Sequence, residues 1–100
     1  MFAAITNLKL KQEHFDRTVS VSKSESYQQR FVKSKGFVKA IYYANKDSDD
    51  FGSITVWESK EDFEEYWDSI PEEEKERVNT LTIEPFNQKT YEIIADFAAD

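Results

Sequence analysis

The 100-residue chain has no cysteine, two glycines, two prolines, one methionine and one histidine. Without cysteine it can form no disulfide, thiolate nucleophile or thiolate metal site, which suits a cytoplasmic protein. The lone His14 is the one ordinary candidate for a base titrating near neutrality, and nothing places it near the chain's serines as a Ser-His-Asp triad would require. Basic residues are outnumbered, 13 against 20 acidic, and the formal charge of -7 opposes surfaces built for phosphates. Nucleic acid and anionic membrane are therefore excluded as expected partners. No apolar run approaches the roughly 20 residues of a spanning helix. Met1 to Ile5 is apolar, but it lacks a basic leader and is soon interrupted by Asn7, Lys9 and Lys11, so it reads as a strand.

What is present describes one folded unit. The length fits a single domain over residues 1–100, and 39% hydrophobic with 15% aromatic residues supplies one core. From Phe2 to Leu10 the residues alternate in two sets, both of which begin apolar, as in a strand. Lys11 to Lys35 contains neither glycine nor proline. Phe15, Val19, Tyr27 and Phe31 share a face at helical spacing there, and Gly36 is a natural stop, which predicts one long helix. Phe37–Tyr43 and Phe51–Trp57 are β-rich runs separated by Asn45–Asp50, the signature of an antiparallel hairpin. Ser59 stands three residues before Asp62 and caps a helix whose Phe63, Tyr66, Trp67 and Ile70 form an apolar stripe. Pro71 starts a further acidic helical turn, Glu72 to Val78. A last strand is expected over Lys89 to Phe97.

The order β-α-β-β-α-β predicts an α+β, ferredoxin-like antiparallel sheet with helices on one face. In the second strand Phe37, Ile41 and Tyr43 fall on one side, and Val38, Ala40, Tyr42 and Ala44 on the other. Both faces are thus apolar, and the face without helices is expected to meet a second copy of the chain as a homodimer through Tyr42 and Val38.

Gly36-Phe37 opening the second strand, Ile54-Thr55-Val56-Trp57-Glu58-Ser59-Lys60-Glu61-Asp62-Phe63, and a closing strand near Tyr91 resemble the antibiotic biosynthesis monooxygenase superfamily across nearly the whole chain. The resemblance implies a dimeric α+β barrel. Members include cofactor-independent oxygenases of polycyclic phenols and quinols, heme-degrading enzymes, and proteins of unassigned activity. The heme-degrading branch uses an Asn on its first strand, matched here by Asn7, and a Trp on its second helix, where this chain has Tyr66 with Trp67 beside it. Its axial His has no counterpart in Glu72 to Asn79.

Asn7 is placed by alternation with Ala3 and Ile5, on the face expected to carry the helices. A buried amide there either orients a substrate oxygen or dioxygen, or bonds a neighbouring backbone group. Stepping along the inward face of the first helix from Phe15 and Val19 reaches Ser22 and Ser26. These short side chains either leave space for a flat ligand or face water. Phe63, Tyr66 and Trp67 either wall a pocket or pack the core, and Trp57 reads as packing. The acidic runs Asp47–Asp50 and Glu72–Glu74 lack the ligand spacing of a calcium loop and read as solvated surface. The leading expectation is a metal-free monooxygenase that binds a small aromatic ligand, a quinol or polyphenol, with dioxygen and no cofactor. Asn7, Tyr66 and Trp67 would be catalytic, and Ser22, Ser26 and Phe63 would bind substrate. Heme binding with degradation, and a non-catalytic ligand-binding dimer, are the alternatives.

Overall fold

The hairpin expected from the Asn45–Asp50 turn forms the frame of the sheet. Asn45 Oδ1 accepts from the Asp47 amide at 3.1 Å, a short 3-10 turn spans Lys46–Ser48, and Asp49 takes a left-handed conformation with φ 63°. The computed structural model describes residues 1–99. Its elements are β1 (Phe2–Lys9), α1 (Gln12–Lys23), α2 (Glu25–Val32), β2 (Phe37–Asn45), β3 (Asp50–Trp57), α3 (Lys60–Ser69), α4 (Glu72–Leu81) and β4 (Asn87–Glu92). The sheet is antiparallel throughout, in the order β2-β3-β1-β4. This is the ferredoxin-like α+β fold, with each of the two helical regions divided in two.

Register decides which residues meet the helices. Ala4 pairs with Thr55 and Leu8 with Phe51, while Tyr42 lies opposite Ser53. These residues share the face covered by Phe15 of α1, Phe31 of α2, Phe63 of α3, and Val78 and Leu81 of α4. Trp57 and Leu10 are fully buried there, at 0% exposure. The other face carries Ile41, Ile54 and Ile5 in one row across three strands, since Ile54 pairs with both of the others. Ile41 is half exposed, as is Tyr91 of β4.

The sequence expectation for β2 is corrected in this respect. A bulge between Phe37 and Lys39 shifts the alternation, so Phe37 joins Ala40, Tyr42 and Ala44 on the helix-covered face. Tyr42 is therefore an interior residue and cannot meet a second copy, whereas Ile41 and Tyr43 lie on the open face. Val38, in the bulge, is exposed.

The single long helix expected over Lys11 to Lys35 is two helices. Ser24 takes an extended conformation, ψ 145°, between them. Its hydroxyl donates to the Val21 carbonyl at 2.6 Å and accepts from the Tyr27 amide at 3.4 Å. A serine side chain that bonds the backbone on both sides competes with helical pairing, so the chain breaks without glycine or proline. The break re-aims α2, placing Tyr27, Arg30 and Phe31 over the sheet. Gly36 lies beyond the end of α2 with φ 76°, where it turns the chain into β2. At the other end of the chain, β4 stops at Glu92, five residues short of the expected Phe97. One further backbone bond joins the Ile93 amide to the Met1 carbonyl at 2.9 Å, and beyond it Ile94 and Phe97 are exposed.

Replacing Ser24 by Ala removes the cap of α2, and a urea titration should show a loss of about 1 kcal/mol.

Candidate active site

Helix α3 positions the site because Ser59 caps it, accepting from the Asp62 amide at 3.1 Å. From that fixed start, the 63, 66, 67 spacing turns three aromatic rings toward the sheet. Phe63 and Tyr66 pack on Trp57, whose indole N–H donates to Thr55 Oγ1 at 2.9 Å. Tyr66 also faces Phe31 of α2, with ring centroids 4.9 Å apart. Trp67 stacks along Phe63 at 6.4 Å and meets Phe86, ahead of β4, edge-on at 6.0 Å.

These rings do not close completely. They border a cavity of about 200 Å³ between the sheet and α2, α3 and α4, which Phe31, Phe51, Phe63, Tyr66, Trp67 and Phe86 line with their rings. Its polar groups are few and come from separate elements. The hydroxyls of Tyr27 and Tyr42 are 3.0 Å apart. Thr6 Oγ1 accepts from Gln88 Nε2 at 3.1 Å. Arg30 Nη1 donates to Glu74 Oε1 at 2.6 Å and its guanidinium lies 5.5 Å from the Tyr27 ring. Lys75 Nζ stands 4.8 Å from the centre of the Trp67 ring. Apolar walls with a few convergent polar groups are the usual make-up of a small-molecule site.

Burial sets the ionisation of the phenols. It pushes the Tyr42 hydroxyl far above the ordinary tyrosine range, and the Tyr27 hydroxyl beside it adds to the shift. Burial pushes Tyr66 up to about 12, with the charge of Arg30 acting in the opposite direction. Both phenols are therefore neutral hydrogen-bonding groups around neutral pH, not bases.

A larger cleft of about 600 Å³ runs beneath α1 and α2 along β2, and shares Tyr27, Phe31, Tyr42 and Phe51 with the inner cavity as common walls. Ser22 lines this outer cleft, not the inner one, and its hydroxyl is committed to the Val19 carbonyl at 2.8 Å. Ser26 is exposed and lines neither space, because the break at Ser24 turns it outward. Of the two serines, Ser22 alone borders a space above the sheet, and Ser26 faces water.

Asn7 is corrected as well. It pairs with Gly52 and Asn87, out of step with Ala4 and Leu8, and so points to the face without helices. There its Oδ1 accepts from the Tyr43 hydroxyl at 2.7 Å, and its amide lies 3.5 Å from Asp50, which is itself bonded to Lys9 at 2.7 Å. Gly52 makes this arrangement physically accessible, because a Cβ there would overlap the Tyr43 hydroxyl and the Thr6 carbonyl. Phe63, Tyr66 and Trp67 are the expected site residues that the fold brings together. His14 on α1 borders neither space. Arg30, Lys75, Phe86 and Gln88 also border the inner cavity, and no local sequence pattern marks them, because their neighbours are assembled by packing.

The residues do not fit a heme. Among the described residues, no histidine, cysteine or methionine lines the inner cavity or the outer cleft to serve as the usual axial ligand, burial holds the Tyr42 and Tyr66 phenols protonated, and the inner cavity lies below the several hundred cubic ångströms typical of sites for larger ligands.

No family model matches the chain, and no curated protein matches it in sequence. Solved structures do match it in shape. A monooxygenase from the gene ActVA-Orf6 of Streptomyces coelicolor, solved with nanaomycin D, superposes with a TM-score of 0.78 at 17% identity, over 99% of this chain and 92% of that one. A candidate antibiotic biosynthesis monooxygenase from Deinococcus radiodurans gives 0.79 at 12% identity, over 100% and 99% of the two chains. The fold is that of the antibiotic biosynthesis monooxygenases. SnoaB, a cofactor-independent oxygenase from Streptomyces nogalater, shares it with a TM-score of 0.69 at 13% identity, over 98% of this chain and 97% of that one. Among the described residues, no helix is long and apolar enough to cross a membrane.

Two outcomes follow from this geometry. Gly52→Ala forces Tyr43 or the β1 backbone to move and should cost about 1–3 kcal/mol in urea unfolding, the range for overpacking. Tyr42 and Tyr66 hold their protons more tightly folded than unfolded, so stability should fall as pH rises past 10, where unfolded tyrosines ionise. In an alkaline titration of tyrosinate absorbance, Tyr66→Phe should delay that loss to higher pH.

Proposed function

We propose that the protein is a cofactor-independent monooxygenase acting on a small phenolic or quinol-type aromatic. The observation that carries this reading is the aromatic-walled cavity itself. Trp67 and Phe63 are nearly parallel, 25° between their planes, and Phe31 and Tyr66 differ by 30°, and these two stacks supply much of the aromatic lining of a space suited to a ring. The likeness in fold to ActVA-Orf6 and SnoaB supports the reaction class by analogy. The volume of about 200 Å³ favours one or two fused rings.

In such a reaction the substrate supplies the electrons. A phenol, through its keto tautomer, reacts with dioxygen to give a quinone and water; one oxygen atom is retained, the other is reduced to water, and no external reductant is consumed. The protein's part is to hold the ring, exclude bulk water and favour the oxidisable anion. Phe63 and Trp67, stacked on each other, supply one wall for the ring. Tyr66, neutral because of burial, can donate a hydrogen bond to a reduced oxygen, and the paired Tyr27 and Tyr42 hydroxyls form a second polar point. Asn7 has no place in this scheme, since it serves the opposite face.

The same reading includes a homodimer formed through the open sheet face. Its support is the row of Ile41, Ile54 and Ile5, flanked by Tyr43 and Tyr91, which leaves apolar surface in water on a single chain. The occupants of this face are Ile41 and its neighbours, in place of the Tyr42 expected from alternation.

An oxygen electrode with a panel of reduced naphthalene diols and related phenols tests the activity. Uptake above the uncatalysed rate is expected, falling about tenfold or more in kcat/KM in Trp67→Ala; no uptake across the panel would remove the oxygenase claim. Sedimentation equilibrium tests the assembly: the wild type should be dimeric and Ile41→Asp monomeric, because a charge at the centre of an apolar interface is not solvated.

A further inference from the structure

The inner cavity holds two cations, and they are not equivalent. Arg30 is neutralised by Glu74 at 2.6 Å. Lys75 is paired more loosely: it meets the Glu72 carboxylate at 3.7 Å, beyond hydrogen-bond length, on a side chain that is 81% exposed. Yet the Lys75 side chain is only 16% exposed, and its ammonium rests on the face of Trp67, a ring that also walls the cavity. An ammonium held by a π-face and one loose, exposed carboxylate retains donors for a further partner. This loosely paired positive charge belongs to a protein whose formal charge is -7.

We infer that Lys75 is the group that receives the anionic oxygen of the ligand, so that the cavity selects aromatic anions, phenolates before neutral phenols. The inference rests on reading the cavity as a site for flat aromatics and adds to it the charge of the molecule bound. A ring held against the cavity's aromatic walls brings a ring oxygen within reach of Nζ, and an opposite charge at that distance in a partly dried space favours the ionised form. The phenolic proton passes to bulk water on binding. The other charged and titratable groups around Lys75 do not supply this charge: Glu72 and Glu74 are negative, Arg30 is engaged with Glu74, and the phenol of Tyr66 is neutral. Lys75 acts here as a positioning and specificity residue for the ligand oxygen.

The probe is 4-nitrophenol, whose ionisation near neutral pH is read by its absorbance and whose electron-poor ring keeps oxygen chemistry out of the measurement. With the full chain, the bound probe should ionise about one pH unit or more below the free probe, the effect of a nearby opposite charge. Lys75→Met should abolish that depression and Lys75→Arg should restore it, with circular dichroism reporting that the fold is kept. A second measurement uses the wild type alone: 4-nitrophenolate should bind at least about tenfold more tightly than its neutral methyl ether, 4-nitroanisole, the ratio equivalent to a one-unit shift. Equal binding of the two, or an undiminished pH shift in Lys75→Met, would overturn the inference. Selective phenolate binding without oxygen uptake on the diol panel would sink the oxygenase reading alone, whereas uptake unaffected by Lys75→Met would sink this one alone.

Discussion

The indole of Trp57 is enclosed by Phe37 from the neighbouring strand and by Phe63 and Tyr66 from α3, and its N–H reaches back two residues to Thr55. No part of it is exposed. Because this side chain ends β3 and the next element is α3, it sets the distance and rotation at which the helix lies on the sheet. Burying an indole whose one donor is satisfied combines a large apolar contribution with no polar penalty, so the contact is strong and also directional. Tyr66 and Phe31 then stack outward from it, and Trp67 and Phe86 complete the rim. The cavity is the space these large, rigid rings leave when they radiate from one fixed point.

A second constraint comes from the hydroxyls of Ser24 and Ser59, which bond backbone amides three residues ahead and so fix where α2 and α3 begin. The first cap has the larger consequence. It divides a stretch that contains no helix breaker, and the separate helix that results carries Tyr27 to the Tyr42 hydroxyl and Arg30 to Glu74. Two polar contacts thereby join α2 to the sheet and to α4 across otherwise apolar walls. In a space of low polarity such paired groups are mutually reinforcing, and a loosely paired one such as the Lys75 ammonium stands out.

The polar side of the open face has its own logic. Tyr43 lies across Gly52 to reach Asn7, and Asp50 links Asn7 to Lys9. A strand face with apolar residues in the middle and a satisfied polar network at one end presents both a surface to bury and an edge that stays wet, as association surfaces commonly do.

Much of this was legible in the residues. The hairpin, the Ser59 cap, the aromatic stripe of α3, the Pro71 helix start and the ferredoxin-like order each rest on a local rule acting over a few residues, and each is found. The packing role of Trp57 and the grouping of Phe63, Tyr66 and Trp67 on one side also follow from helical spacing. The faces of the strands do not. Alternation separates two sets but does not say which set meets the helices, and one extra residue at Phe37 to Lys39 exchanges the sides for everything after it. Asn7, in a regular strand, and Tyr42, beyond the bulge, thus each lie on the face opposite to the one alternation suggests. Likewise, the break at Ser24 rests on its two backbone bonds together with the burial of Phe31 and the half-burial of Tyr27 beyond it, which no local rule reports. By itself the sequence determined element types, their order and the aromatic supply of the cavity, since these depend on neighbours in the chain. Tertiary structure alone decided which face each strand residue occupies and that Glu74 is taken by Arg30, because both depend on partners distant in sequence.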